Sequence, residues 1–110
     1  MNDCCELSKL DSKKIFLTKG KGVSKERLTS FELALREAGI ASLNLITVSS
    51  ILPPKCEFIS QEEGTELLSP GQVVPVVLAR SDSNKFGDLV SSGVGVAIPK
   101  DNDHYGYLSE

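Results

Sequence analysis

The sequence has too few histidines and cysteines for the usual metal and disulfide frameworks. It contains one histidine, His104, and three cysteines, Cys4, Cys5 and Cys56. An odd cysteine count without regular spacing gives no disulfide framework. One histidine and an adjacent cysteine pair supply too few soft ligands at a suitable spacing for zinc. We therefore expect three free thiols in a reducing compartment and no metal site.

The chain also lacks long apolar runs and any cluster of basic residues. Its first residues, MNDCCELSKLDSKK, contain no apolar core of signal-peptide length. No stretch approaches the roughly 20 apolar residues that a membrane-spanning helix needs. The net charge is -3, and the lysines are spread among acids and glycines. Nucleic-acid binding needs a clustered basic face, so we expect no nucleic-acid partner. Without an apolar leader or spanning segment, we expect a cytoplasmic protein that does not bind membranes.

The composition is that of a small globular domain. The chain has 110 residues, of which 40% are hydrophobic and 25% charged, and this length supports one domain spanning residues 1–110. Residues 1–13 are polar and without periodicity, so we predict a loose lead-in there. A core of this size gains from subunit interfaces, which favours oligomerisation.

One helix is clearly predicted, over residues 25–38. Apolar residues recur there every three or four positions and form one stripe. They are Leu28, Phe31, Leu35 and Ala38. Ser24 is a suitable N-cap, and Gly39 supplies the stop.

Glu32 lies on the flank of this apolar stripe, at about 100° of rotation per residue. One interpretation is an ion pair with Arg36, four residues further along the helix. The other is a partly buried carboxylate directed into a binding site. Helix geometry alone favours the ion pair.

Most of the remaining chain is predicted to form strands, with turns rich in glycine, proline and serine between them. We predict strands at residues 14–18, 43–48, 56–59, 72–79, 89–98 and 105–109. Residues 60–71 are polar and contain Gly64, so a loop is predicted there. Pro75 indicates an edge or a bulge, because proline cannot donate to a strand ladder. One helix among many strands predicts the α+β class.

A serine pair, Ser49-Ser50, stands where one of these strands must end. Ser91-Ser92 is a second such pair without obvious chemistry, so the dipeptide alone carries no signal. The context differs at the first pair, because a β-branched strand precedes it and Pro53-Pro54 fixes the backbone after it. Strain can therefore be concentrated on the peptide between the two serines.

A serine held in this way has one unusual chemical option. Its hydroxyl can attack the preceding carbonyl and convert the amide to an ester, which a base can then eliminate. The new N-terminal residue becomes dehydroalanine and, by hydrolysis, a pyruvoyl group. Its ketone is a built-in electrophile that forms a Schiff base with an amine. Spacing alone makes this chemistry possible without making it the expected outcome.

Two motifs resemble the pyruvoyl-dependent arginine decarboxylases. Residues 38–54 read AGIASLNLITVSSILPP, which looks like the processing region of that family. Residues 95–101 read GVAIPKD, similar to the turn before the family's last shared strand. The resemblance extends over roughly Lys14 to Glu110, and the two motifs stand in the family's order.

The resemblance implies self-cleavage between Ser49 and Ser50. A β chain of residues 1–49 and an α chain of residues 50–110 would result, with the pyruvoyl group derived from Ser50. The implied fold is an αββα sandwich with mostly antiparallel strands, assembled as a homotrimer with active sites between subunits. The implied reaction converts L-arginine to agmatine and carbon dioxide.

The resemblance also implies roles for five further residues. Asn44 matches the position that assists self-cleavage. Glu110 matches the glutamate that supplies a proton after carbon dioxide leaves. Glu32 matches the acid that binds the substrate guanidinium. Leu28 and Leu43 match apolar positions of the pocket.

Two departures from the family leave alternatives open. The family usually has aspartate where this chain has Glu32, and its members generally continue beyond the position of Glu110. A shortened or inactive relative that assembles with full-length subunits is therefore a second hypothesis. A decarboxylase of another amino acid, such as histidine, is a third.

Overall fold

The computed structural model describes residues 14–110 as two helices and seven short strands. Their order is β1 (Lys14–Ile15), α1 (Arg27–Ala38), β2 (Asn44–Thr47), β3 (Ile51–Leu52), β4 (Glu57–Phe58), α2 (Gln61–Leu67), β5 (Val73–Val76), β6 (Gly95–Ala97) and β7 (Gly106–Ser109). The predicted lead-in at 1–13 lies outside the described residues. The mixture of helix and strand is confirmed.

The strands pair in both directions. β1 pairs with β4 and β2 with β5 in parallel, whereas β3, β7 and β6 form an antiparallel sheet in that order. The expectation of mostly antiparallel strands is therefore wrong for half of these pairings. The chain between β2 and β5 includes α2, and a connection of that length allows a parallel return. The sandwich architecture stays a prediction.

The helix α1 begins slightly later than predicted and ends where predicted. Its N-cap is Glu26, whose backbone is extended, and the Ser24 hydroxyl accepts a hydrogen bond from the Glu26 N–H at 3.2 Å. Gly39 adopts a φ of 82°, and its N–H donates to the Arg36 carbonyl. Since glycine tolerates this left-handed conformation without a Cβ penalty, it ends the helix cleanly.

The helix α2 was missed, because its polar sequence and Gly64 predicted a loop. The Ser60 hydroxyl accepts a hydrogen bond from the Glu63 N–H at 3.2 Å, so a serine caps this helix. Gly64 is buried, and a Cβ at this position would overlap the Phe16 ring. Close packing therefore accounts for the glycine.

Gly20 and Gly22 bring the preceding segment against the backbone of α1. A Cβ on Gly22 would overlap the Ser30 carbonyl oxygen, and one on Gly20 would overlap that of Ala34. This Gly-x-Gly thus serves helix packing.

The predicted strands at 72–79 and 89–98 are shorter in the structure, as β5 and β6. Pro75 pairs with Ile46 in the two-stranded β2–β5 sheet. Each strand of a two-stranded sheet has one open edge, so a residue without an N–H is accommodated there. In residues 14–110, no helix is both long and apolar enough to cross a membrane.

The buried core of the described chain is small. Four hydrophobic residues are buried, namely Ala38, Ile40, Leu52 and Leu108. In contrast, Phe86 and Leu89 are almost fully exposed.

We expect Gly22→Ala to lower the free energy of unfolding by about 1–3 kcal/mol, because the new methyl group overpacks against α1. Thermal or urea unfolding measures the change. Gly93→Ala is the matched control, since a Cβ on Gly93 meets open space. Equal stabilities for the two variants would contradict the close packing of this segment.

Candidate active site

One stretch of chain, residues 44–52, passes from one sheet to another and bends at Ser50. Its first part pairs with β5, and the last bond on that side runs from the Val48 N–H to the Val76 carbonyl at 2.9 Å. The first bond on the other side runs from the Leu108 N–H to the Ser50 carbonyl at 2.7 Å. The peptide bond before Ser50 therefore lies at the junction between the parallel and antiparallel sheets.

The chain after this junction is held by a tight turn. Leu52 is buried at 3% exposure, and the turn that follows Pro53-Pro54 contains Lys55 with a φ of 58°. The Lys55 N–H donates to the Asn102 carbonyl at 3.0 Å, and its ammonium lies 3.0 Å from Asp103 Oδ1. These contacts join the turn after β3 to the turn before β7, so the register between the two strands is fixed at this end.

This register relates Ser50 to Glu110. Ile51 lies opposite Tyr107, and the bond between Leu108 and Ser50 continues the pairing by one residue. Because side chains alternate along a strand, a residue two positions beyond Leu108 emerges on the face shared by Leu108 and Ser50. Diagonal neighbours of this kind have Cβ atoms about 7–8 Å apart, within reach of a long side chain. Alternation along β7 thus predicts Glu110 on the face of Ser50, whereas the groove that Glu110 lines does not include Ser50.

Two neighbouring grooves open beside these strands. The first has a volume of about 440 Å³ and is lined by Leu78, Ala79, Arg80, Ser81, Ser91, Ser92, Gly93 and Glu110. The second has a volume of about 420 Å³ and is lined by Phe31, Leu35, Leu43, Asn44, Leu45, Thr47, Val76, Leu78 and Arg80. Leu78 and Arg80 line both, so they form the wall between the groove of Glu110 and the groove of Asn44.

Asn44 and Ser50 lie towards opposite ends of the stretch of residues 44–52. Six residues of extended chain span up to about 20 Å. The Asn44 Nδ2 donates to the Gly71 carbonyl at 2.7 Å, next to the start of β5. Within one chain, the structure does not bring the Asn44 amide to the carbonyl that Ser50 would attack.

Glu32 forms the ion pair that helix geometry favours. Its Oε1 accepts from Arg36 Nη2 at 2.8 Å, and 56% of its side chain is exposed. Leu28, one turn before it, is 79% exposed. Neither residue lines the two grooves, whereas Leu43 lies in the second groove with Phe31. The structure therefore separates Leu43 from the other two predicted substrate-binding residues.

Sequence reasoning missed Arg80. Its guanidinium carbon lies 3.8 Å from the centroid of the Phe31 ring, and its Nε lies 3.4 Å from Asp82 Oδ2. The only sequence signal was a single basic residue at the end of the apolar run of residues 73–79. Such a residue is ordinarily solvated, so the pattern gave no reason to select it.

Four groups among the described residues have shifted pKa values. The hydrogen bond to Asp82 raises the pKa of the Arg27 guanidinium. The hydrogen bond from Arg27 holds the pKa of the Asp82 carboxyl below its usual value. Desolvation raises the pKa of the Cys56 thiol, and a hydrogen bond with Tyr105 raises that of Tyr107. Within residues 14–110, no group of three or more His, Cys, Asp or Glu side chains is arranged to hold a metal ion.

Comparison with known proteins finds the same family in a family profile and in individual relatives. The sequence profile of the family described as pyruvoyl-dependent arginine decarboxylase matches residues 14–110. A protein of Chlorobium limicola named "Probable pyruvoyl-dependent arginine decarboxylase" is 62% identical over 97 residues, which cover 88% of this chain and 54% of that protein. A protein of Picrophilus torridus named "Pyruvoyl-dependent arginine decarboxylase" is 54% identical over 97 residues, covering 88% and 53%.

A third relative, from Nitrosopumilus maritimus, is also named "Pyruvoyl-dependent arginine decarboxylase". It is 52% identical over 101 residues, which cover 92% of this chain and 55% of that protein. The chain thus spans about half the length of the curated relatives it matches.

Proposed function

Because the chain belongs to the pyruvoyl-dependent arginine decarboxylase family, we propose that it cleaves itself before Ser50 and then converts L-arginine to agmatine and carbon dioxide. The observation that carries this proposal is the position of Ser50. Its peptide lies at the junction of two sheets, with hydrogen bonds to a different strand on each side. Glu110 follows the last residue of the strand that pairs there.

Self-cleavage uses groups of the chain itself. The Ser50 hydroxyl attacks the Ser49 carbonyl carbon, the C–N bond breaks, and an ester joins the two residues. A base then removes the Ser50 α-proton, and the ester oxygen leaves with Ser49 as a carboxylate. Water replaces the nitrogen of the remaining dehydroalanine, and ammonia departs. A β chain of residues 1–49 and an α chain of residues 50–110 result.

The hydrogen bonds on either side of this peptide support the first step. The Val48 N–H is bound to β5, and the Ser50 carbonyl is bound by the Leu108 N–H. A short chain held at both ends cannot relax by sliding along either partner strand. Such a restraint would keep the Ser50 hydroxyl near the Ser49 carbonyl, so less conformational entropy would be lost in reaching the transition state.

The surroundings of Ser50 suit a pyruvoyl group. Ser50 is exposed, so a substrate amine has access, and its carbonyl is held by the Leu108 N–H at 2.7 Å. The group supplies a ketone that binds the substrate amine and draws electrons from the bond to the departing carboxylate. Glu110, diagonal to Ser50, would donate a proton to the substrate carbon that has lost carbon dioxide.

Glu32 would bind the substrate guanidinium. Its Oε1 already accepts from Arg36, so the substrate must use Oε2 or displace Arg36. An exposed pair at this spacing is worth only about 0.3–0.5 kcal/mol, and displacement is therefore inexpensive. The extra methylene relative to aspartate gives Glu32 the length to serve either partner.

A complete site requires more than one copy of the chain. Asn44 lies up to about 20 Å from Ser50 along the strand, and Leu28 exposes 79% of its surface. A neighbouring subunit that presents Asn44, Leu28 and Glu32 to Ser50 would bring the proposed groups together and cover apolar surface. The homotrimer implied by the family resemblance is an assembly that would do this.

We expect intact mass spectrometry of freshly folded protein to find two chains, because the peptide before Ser50 is restrained by hydrogen bonds to a different strand on each side. The α chain should be lighter than a serine-initiated fragment by the mass of ammonia. Ser50→Ala should remain whole and inactive, since it lacks the attacking hydroxyl. Cleavage at this bond in Ser50→Ala would remove Ser50 from the mechanism.

The same experiment separates the alternatives. An uncut parent chain that still assembles with a full-length relative would favour an inactive partner over an enzyme. If the parent is cut, carbon dioxide release over a panel of amino acids tests the substrate. Faster release from histidine than from arginine would overturn the arginine assignment while keeping the pyruvoyl chemistry.

We expect Arg36→Gln to lower the KM for arginine about twofold with little change in kcat, because it frees Glu32 Oε1 from an exposed ion pair. Glu32→Gln should raise KM, because the guanidinium loses its charged partner. Steady-state kinetics on the processed enzyme measures both. A KM that is unchanged in Glu32→Gln would place the guanidinium elsewhere.

A further inference from the structure

Four side chains form a continuous network between α1 and the chain that follows β5. Arg27 donates to Asp82 Oδ1 from Nε at 3.1 Å and also from Nη2. The other carboxylate oxygen, Oδ2, lies 3.4 Å from Arg80 Nε. The Arg80 guanidinium in turn stacks on Phe31, with its carbon 3.8 Å from the ring centroid. Asp82 thus bridges two arginines, one of which returns to the helix.

The spacing of these residues allows Asp82 to contact Arg27 while Arg80 contacts Phe31. Arg27 and Phe31 are four residues apart on a helix, a rise of about 6 Å. Arg80 and Asp82 are two residues apart, a separation of about 6.6 Å where a chain is extended. Two anchors one turn apart on the same side fix both the position of a helix and its rotation about its axis.

The other end of α1 is held separately. The Ala38 carbonyl accepts from Thr18 Oγ1 at 2.6 Å and from Gln61 Nε2 at 2.8 Å. These contacts hold the last turn, whereas the network of Arg27, Asp82, Arg80 and Phe31 holds the first two turns. Close packing of Gly22 against Ser30 also contacts the first turn. Loss of the network would therefore loosen the beginning of α1 while its end stays attached.

We propose that Arg80 and Asp82 are positioning residues that fix the direction of Glu32 for binding the guanidinium of the substrate. This inference rests on the proposed function, in which Glu32 binds that group. Glu32 follows Phe31 by one residue, about 100° around the helix. A helix that turns on its axis would carry the Glu32 carboxylate away from its direction, so the network controls substrate affinity without touching the substrate.

The charge of Asp82 should also favour binding of a cationic substrate. Arg80 lines both grooves, and an uncompensated cation there would repel a cationic substrate. Asp82 lies between Arg80 and Arg27 and offsets their positive charge. Neutralising this carboxylate would leave Arg27 on α1 and Arg80 in the groove wall without their acidic partner, which disfavours arginine and agmatine alike.

The network is exposed, which separates its effect on binding from any effect on stability. The Arg27 side chain is 77% exposed and that of Asp82 is 30% exposed. Exposed ion pairs and stacked cations each contribute little to the free energy of unfolding. We therefore expect the thermal midpoint to change little, whereas the affinity for a ligand held by α1 changes clearly.

The test compares Asp82→Asn with two matched variants. Asp88→Asn makes the same change of charge in the same loop region, where the carboxylate accepts from the Ser83 hydroxyl and does not contact α1. Arg27→Lys keeps the charge that pairs with Asp82. Steady-state kinetics is measured on the processed proteins. Titration calorimetry with agmatine, and amide hydrogen exchange over residues 27–38, are measured on uncut Ser50→Ala proteins.

Asp82→Asn should raise the KM for arginine about threefold to tenfold, with kcat and the extent of self-cleavage unchanged. The agmatine dissociation constant should rise by a similar factor. Amides in the first two turns of α1 should exchange faster, while those near Ala38 keep their rates. Asp88→Asn should match the parent, and Arg27→Lys should lie within about twofold of it.

An unchanged KM and agmatine affinity in Asp82→Asn would overturn the inference while the proposed function stands. A parallel fall in kcat, self-cleavage and thermal midpoint would show a merely structural role and would also overturn it. Failure of the parent chain itself to bind agmatine would refute the substrate assignment, and with it this inference. Parent and variant measurements together thus separate the two failures.

Discussion

The proposed self-cleavage depends on one hydrogen bond, from the Leu108 N–H to the Ser50 carbonyl at 2.7 Å. It is the first contact that the extended chain makes after leaving β5. Because the preceding contact, from the Val48 N–H, goes to the opposite partner strand, the peptide between the two serines lies where two sheets meet. Strand pairing usually satisfies and restrains every peptide of a strand. Here the chain changes its partner strand, so the peptide between Ser49 and Ser50 lies between the bond at Val48 and the bond at Ser50.

The same bond relates the strand that carries Glu110 to Ser50. The register of β3 with β7 places Ile51 opposite Tyr107, and the buried side chains of Leu52 and Leu108 hold the strand pair together. The residues proposed to bind the far end of the substrate lie elsewhere, on α1 and along the second groove. The groups proposed to react and those proposed to bind the guanidinium are thus separated in one chain. Arg80 lies in the wall between the two grooves.

Residue patterns anticipated the local features that sterics enforce and missed those set by tertiary contact. Gly39 ends α1 because only glycine adopts the left-handed conformation freely, so the end of this helix could be predicted from the sequence. The Ser60-x-x-Glu63 pattern is a helix-start signature, but Gly64 made a loop the expected structure. The packing of Gly64 against Phe16, which explains the glycine, cannot be inferred from the sequence alone. Parallel pairing of β2 with β5 and the stacking of Arg80 on Phe31 depend on residues about 30 to 50 positions apart, for which periodicity carries no information.

The most direct measurement replaces the amide of Leu108 alone. A semisynthetic chain with an ester at this position keeps the leucine side chain and removes the N–H that binds the Ser50 carbonyl. If that bond fixes the peptide for attack, self-cleavage followed by mass spectrometry should slow by about tenfold or more, which corresponds to about 1.4 kcal/mol in the barrier. Cleavage at the rate of the all-amide chain would contradict the account.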